Sequence, residues 1–165
     1  MDDVALEVLD AFATGHVADA AELVFEYMAT TCAEVGWLVP AAPAELPESL
    51  RREVENLVGA YAAPGTFLIG LRQGRPIAGV GLQMRGQATA EVKRLYVRPI
   101  ERGGVGRILM EALHARASRI GIGRLVLDVL PTRAHVIELY RQLGYVETEP
   151  YTVEPVPMVY MEFMF

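Results

Sequence analysis

The residues whose types and spacing could best hold a charged ligand are Arg102-Gly103-Gly104-Val105-Gly106-Arg107. The glycines leave backbone N–H groups uncovered, and an arginine stands at each end of the run. From Val105 onward, Val105, Ile108, Leu109, Ala112, Leu113 and Ile120 recur at helical spacing, so the run reads as the start of a helix. A helix start offers unpaired N–H groups and the positive end of the macrodipole, and glycines let an anion approach closely. That chemistry is phosphate binding.

Two phosphate motifs are excluded by spacing. No lysine follows these glycines, as a Walker loop would need. A dinucleotide fingerprint would need a third glycine three residues after Gly106, where Leu109 stands. The loop must be positioned by what flanks it. Glu91 to Val97 is rich in Val, Leu and Tyr and reads as a strand that Pro99 stops. The helix runs from Val105 to about Ile120 and closes at Gly121-Ile-Gly123. Leu125 to Leu130 is nearly continuous apolar sequence, the mark of a strand buried on both faces in a parallel arrangement. A helix over Ala134 to Leu143, stopped by Gly144, precedes strands at Val146 to Thr148 and Val159 to Phe165. A loop with Pro150, Tyr151, Pro155 and Pro157 separates those strands.

Upstream, Val4 to Leu9 alternates weakly as a first strand. Thr14 is placed to cap a helix whose apolar face holds Ala20, Ala21, Val24, Phe25 and Met28, with Gly36 as its stop. Trp37 to Pro47, with three prolines, reads as irregular loop. A second helix starts at Leu46 or Glu48 and runs to about Gly59. Thr66 to Leu71 and Pro76 to Met84 form an antiparallel pair about Gln73-Gly74, and Arg85-Gly86-Gln87 turns into Glu91 to Val97. The order β-α-α-β-β-β-α-β-α-β-β is that of one α/β domain with a mixed sheet, spanning residues 1–165.

The strand Glu91-Val-Lys-Arg-Leu-Tyr-Val-Arg-Pro99, the glycine loop and the later run Tyr140-Arg-Gln-Leu-Gly-Tyr145 together resemble the GNAT superfamily of acyl-coenzyme A N-acetyltransferases. There a strand of the type E-x-K-R-L-Y-V-x-P leads into [Q/R]-x-x-G-x-G and a long helix, and a Y-x-x-x-G-[FY] turn follows further on. The likeness covers roughly residues 60 to 165, and the N-terminal third in outline. It implies a mostly antiparallel mixed sheet of about six or seven strands flanked by about four helices. It implies acetyl-CoA as co-substrate, no metal, and a small-molecule amine as acceptor. Two departures stand out. Glu101 occupies the place of the usual Gln or Arg, which leaves Arg102 one position late. Arg133 stands where many relatives carry an asparagine, seven residues before the tyrosine.

Carried over residue by residue, the resemblance gives the pyrophosphate to Arg102, Gly103, Gly104, Val105, Gly106 and Arg107. The pantetheine arm falls to the backbone of Leu95, Tyr96 and Val97. Arg133 either reaches a phosphate or an acceptor carboxylate, or that contact is missing. A lysine-like amine is neutral only about once in 2,500 molecules at pH 7, so a base has a task. Glu91 matches the position where several relatives place a base-like glutamate, against the alternatives of a solvated strand-end charge or a partner for Lys93 or Arg94. Tyr140 matches the general acid for the departing thiolate, against the alternative of a core tyrosine.

Composition sets the outer limits. The 165 residues, 52% hydrophobic and 22% charged, suit one soluble domain. The net charge of −6 and the lack of a basic stripe argue against nucleic-acid binding, and no apolar run approaches a membrane span. Met-Asp-Asp at the start and a single cysteine, Cys32, suggest the cytoplasm. His16, His114 and His135 have no ligand spacing. Residues 1–60 carry twelve acids and two arginines, a balance of −10, whereas residues 61–165 carry nine acids and thirteen bases, a balance of +4. A basic second half is what a polyphosphate ligand would favour, although two differently solvated surfaces explain the numbers as well. Two other readings stay open: a protein lysine or N-terminal acetyltransferase, and a non-catalytic acyl-CoA sensor. Whether the chain works alone or as a homodimer is also left open.

Overall fold

The sheet is built outward from a hairpin. In the computed structural model, which describes residues 5–165, β2 (Thr66–Arg72) turns through Gln73 and Gly74, both at positive φ, into β3 (Arg75–Met84). Two consecutive residues of that conformation give the turn a twist that matches its strands. β4 (Thr89–Val97) returns antiparallel to β3, and β1 (Glu7–Asp10) pairs with the outer edge of β2. The expected first strand is thus seen over its later half, and Val4 lies outside the described residues. β5 (Arg124–Val129) is parallel to β4 but antiparallel to β7 (Val159–Met164), which also pairs with β6 (Val146–Glu147). The order is β1-β2-β3-β4-β5-β7-β6, with one parallel contact, as expected of a mostly antiparallel mixed sheet. The parallel arrangement expected of β5 is present on its β4 side, while its β7 side is antiparallel.

Five helices pack on this sheet among the described residues: α1 (Val17–Glu34), α2 (Glu48–Glu55), α3 (Leu57–Ala60), α4 (Val105–Arg119) and α5 (Ala134–Gln142). The one expected helix over 48–59 is two. Asn56 leaves the helical region at φ −137°, and its side-chain oxygen accepts from the N–H of Gly59 to start the chain again. Thr14 is not a cap; its hydroxyl donates to the carbonyl of Asp10 at 2.7 Å, and His16 stands at the start of α1. None of the helices is long and apolar enough to cross a membrane.

Two apolar layers result. On one face Leu109 and Leu113 of α4 meet Val80 and Leu82 of β3 and Leu125 and Leu127 of β5. On the other, Leu23, Val24 and Met28 of α1 meet Leu57, Tyr61, Phe67 and Ile69. Each such buried side chain contributes about 1.5–3 kcal/mol of transfer free energy. β3 spends glycines on the second face: a Cβ on Gly79 would lie 2.5 Å from the Phe67 ring, and one on Gly81 would lie 2.3 Å from that of Tyr61.

The charge asymmetry is taken up inside the fold. Asp10 pairs with Arg116, Glu22 and Glu26 with Arg98, Glu34 with Arg133, and Glu53 with Arg94. Acids of the front half are answered by arginines of the back half, so much of the back-half positive charge is not free for a phosphate.

The sheet opens between β4 and β5. Their ladder holds for Thr89↔Arg124, Ala90↔Leu125 and Glu91↔Val126, and then stops. On the other edge of β4 the register jumps from Gly81↔Lys93 to Gly79↔Tyr96, so Arg94 and Leu95 together oppose Val80. This is a β-bulge, which bends its strand and raises the local twist. Arg94 adopts φ +59°, a left-handed conformation that costs a non-glycine residue of order 1–3 kcal/mol. Its guanidinium is held by both carboxylate oxygens of Glu53 at 2.9 Å each, and Glu53 also accepts from the Tyr61 hydroxyl at 3.1 Å. Burial opposes the charge on Glu53, but Arg94 outweighs it and leaves the carboxyl below its usual range. Glu53→Ala would strand a largely buried guanidinium and should cost about 3–5 kcal/mol in urea unfolding. Glu22→Ala, which breaks an exposed contact to Arg98, should cost no more than about 1 kcal/mol in the same assay.

Candidate active site

A cleft of about 610 Å³ occupies the fork between β4 and β5, walled by α1, the start of α4 and α5. At its phosphate-binding end the chain leaves β4, makes a 3-10 turn over Pro99–Glu101, and reaches Gly103 at φ +127° and Gly104 at φ +82°. Both values suit glycine, and a Cβ at either position would meet open space. Gly104 caps α4 with no side-chain acceptor, so the first N–H groups of that 15-residue helix point outward without a protein partner at the cap. Arg102, Gly103, Gly104, Gly106 and Arg107 all line the cleft. The Val105 side chain is buried in the core beneath, leaving its backbone for the cradle. Arg102 enters no ion pair among the described residues, while Arg107 donates to Gln142. Glu101, at the family's Gln/Arg position, is turned to Arg72 and largely buried there.

Leu95, Tyr96 and Val97 form the floor where β5 no longer covers the β4 edge. Tyr140, on α5, is 5% exposed, and its hydroxyl reaches the cleft with no hydrogen-bond partner among the described residues. Burial pushes this phenol well above its usual pKa, so at neutral pH it is a proton donor. The neighbouring Tyr145 ring lies 5.5 Å away, and its own hydroxyl meets His114 Nε2 at 2.7 Å.

Arg133 lines the cleft but points its donors at α1: to Glu34 at 3.0 Å, the Tyr27 hydroxyl at 3.0 Å and Thr31 at 2.8 Å. Tyr27 lies under two guanidinium groups, Arg133 at 5.0 Å and Arg94 at 5.6 Å from its ring centre. Of the alternatives for Arg133, neither a phosphate nor a carboxylate ligand is needed to satisfy it; it ties α5 to α1. Glu91 does not open onto the cleft. It is 2% exposed, with one oxygen accepting from Arg85 Nε at 2.5 Å and the other from the Tyr151 hydroxyl at 3.1 Å. The alternative weighed for Glu91, a charge partner, is the one seen, with Arg85 in the place of Lys93 or Arg94.

Tyr27, Glu34 and Asp128 are among the lining residues not singled out in the sequence, and Lys93 was considered only as a partner for Glu91. Asp128 is the sharpest omission. Burial first, then the charges of Glu91 and Glu154, push its carboxyl up to about 6. The signal was a lone acid in the apolar run Leu125-Val-Leu-Asp-Val-Leu130. No group of three or more metal-ligating side chains occurs among the described residues.

Comparison with known proteins agrees with this geometry. An uncharacterized N-acetyltransferase of Schizosaccharomyces pombe is 33% identical over 114 residues, covering 66% of this chain and 70% of that one. An acetyltransferase from Streptococcus agalactiae has a similar fold, with TM-score 0.76 at 15% identity over 97% of this chain and 98% of the other. A putative acetyltransferase from Salmonella typhimurium, solved with its cofactor acetyl-CoA, matches at TM-score 0.70 and 19% identity over 97% and 94%. The model of the Acetyltransferase (GNAT) family matches residues 32–145, and with the open fork of β4 and β5 and the glycine-capped α4 in place, this chain belongs to that family.

Proposed function

We propose that this chain is an N-acetyltransferase that uses acetyl-CoA to acetylate the amine of a small molecule or amino-acid-like acceptor. The observation that carries the reading is a coincidence of place. The uncapped N-terminus of α4, the uncovered edge of β4 and the unpartnered Tyr140 hydroxyl all open on one cleft. The residues present fit the co-substrate. The open side of Gly103 and Gly104 admits a pyrophosphate, Arg102 adds an unengaged positive charge, and Leu95 to Val97 offer backbone partners to an amide-bearing arm. When bound there, the thioester supplies an activated acyl group.

The chain's own residues then have distinct tasks. Backbone N–H groups of the β4 edge are placed to polarise a carbonyl. Tyr140 holds a proton at its hydroxyl for the departing sulfur; burial makes it a weaker acid than an ordinary phenol, so its help comes from proximity and not from acidity. The acceptor would enter from the end walled by α1, near the loop between β6 and β7, whose Tyr151 and Glu154 lie within electrostatic reach of Asp128. That loop is tied down through Tyr151 to Glu91, which favours a small acceptor over a peptide laid along an open groove. The volume of the cleft is within the range usual for small-molecule sites.

Gly104→Glu places both a strained backbone and a negative side chain in the cradle. It should abolish acetyl-CoA binding in calorimetry while circular dichroism stays that of the wild type; undiminished affinity would remove the cradle from the account. Tyr140→Phe keeps the ring and strands no partner. Its turnover should fall by about 10²-fold with acetyl-CoA affinity and melting temperature nearly unchanged. Unaltered turnover would make the phenol a packing group and leave protonation of the sulfur to another donor.

A further inference from the structure

The fork of β4 and β5 fixes which carboxylate faces the reaction. On β5, Leu125, Leu127 and Val129 pack under α4, so Val126 and Asp128 project to the opposite face. On β4, Ala90 and Val92 join the same core, which puts Glu91 and Lys93 on the face of Asp128. The ladder ends at Glu91↔Val126; continued, it would set Lys93 opposite Asp128. Glu91 therefore sits behind the fork, sealed by β5, whereas Lys93 and Asp128 stand on its two prongs and line the cleft. The other acid in the lining, Glu34, is bound by Arg133. Asp128 makes no ion pair or side-chain hydrogen bond among the described residues.

We propose that Asp128 is the general base that takes the proton from the acceptor amine, and that Glu91 is a positioning residue behind it, pinning Tyr151 and the β6–β7 loop over the site. The proposal rests on the acetyltransferase reading. An acceptor arriving as an ammonium ion gives one proton to Asp128, and the neutral nitrogen attacks the thioester carbonyl. The C–N bond forms and the C–S bond breaks. The sulfur takes its proton from Tyr140, the nitrogen's second proton restores Tyr140, and Asp128 then releases the first. Amide, free thiol and one proton to solvent are the sum.

The surroundings of Asp128 suit that task. Glu91, Lys93 and Arg94 face it from β4, Glu154 and Tyr151 from the β6–β7 loop, Tyr160 from β7 and Tyr140 from α5. Burial and the two glutamates raise its pKa, Lys93 and Arg94 lower it, and the balance lies at about 6. Such a carboxylate is ionised at neutral pH yet more basic than an ordinary aspartate. The sign is fixed: a base works when deprotonated, so the rate is held above about pH 6 and lost below it. Folding alone would not select this group, because an ionised carboxylate of raised pKa opposes the folded state above that pH.

The test compares wild type, Asp128→Asn and Glu91→Gln, using thiol release with the best acceptor from a panel of primary amines, from pH 5 to 9. Acetyl-CoA affinity by calorimetry and melting temperature accompany each variant. Asp128→Asn should lower kcat by about 10²–10⁴-fold and erase the acid limb, with acetyl-CoA affinity kept and melting temperature no lower at pH 7. Glu91→Gln should keep a limb but move it to lower pH, because one of the charges raising Asp128 is gone. A limb that survives in Asp128→Asn and vanishes in Glu91→Gln would return the base to Glu91 and overturn the proposal. So would an Asp128→Asn variant that loses acetyl-CoA affinity together with turnover. A wild type that neither binds acetyl-CoA nor releases thiol would overturn the acetyltransferase reading itself, and this proposal with it.

Discussion

The ion pair between Arg94 and Glu53 is the interaction on which the rest of the site depends. A strand that stayed regular through Arg94 could continue its ladder with β5, and no cleft would exist. The bulge prevents this by setting two residues of β4 against Val80 alone, at the expense of a left-handed arginine. Strain of that kind persists only where the surroundings over-determine it. Here they do: two bonds from Glu53, a third from Tyr61 into the same carboxylate, and the Tyr27 ring beneath the guanidinium. Glu53 belongs to α2, so a helix far from the glycine loop in sequence decides the shape of the strand that leads into it.

The same logic governs the N-terminal third. α1 is anchored to the sheet by apolar packing through Leu23, Val24 and Met28, and its polar side meets Arg98 and Arg133. Tyr27 collects both arginines that flank the fork, one from β4 and one from the start of α5. The front half thus closes the cleft by charge pairing rather than by lending it a free acidic field. Among the described residues, the charged lining groups without an ion pair are Lys93 and Asp128 at the fork and Arg102 and Arg107 at the cradle, and the Tyr140 hydroxyl is also without a partner. These are the groups left to meet a ligand.

How much of this was legible in the sequence depends on whether the cause was local. The glycine loop, the strand before it and the helix after it could be read because Pro99, Gly104 and the apolar spacing from Val105 act within a few residues of themselves. Tyr140 could be placed by its motif. The break at Asn56 could not, since an asparagine inside an apolar-periodic run declares itself only when its side chain turns back to Gly59. Glu91 illustrates the harder limit. Its place on β4 was right, but its sealing depends on Val126 beside it and on Arg85 and Tyr151 arriving from elsewhere in the chain. Asp128 was hidden for the complementary reason. In an apolar run it looks like a flaw in a buried strand, and only the early end of the β4–β5 ladder exposes it. Arg133 was read against a ligand because its partners, Tyr27, Thr31 and Glu34, lie about a hundred residues away.

The central claim is that the fork of β4 and β5 and the start of α4 form one acyl-CoA site. Amide hydrogen exchange with and without coenzyme A tests it most directly, because the site is made of backbone N–H groups that are free before the ligand arrives. The account expects added coenzyme A to slow exchange in two segments at once, Leu95 to Val97 and Arg102 to Arg107, with β1 and β2 unchanged. Protection confined to another surface, or none at saturating ligand, would contradict it.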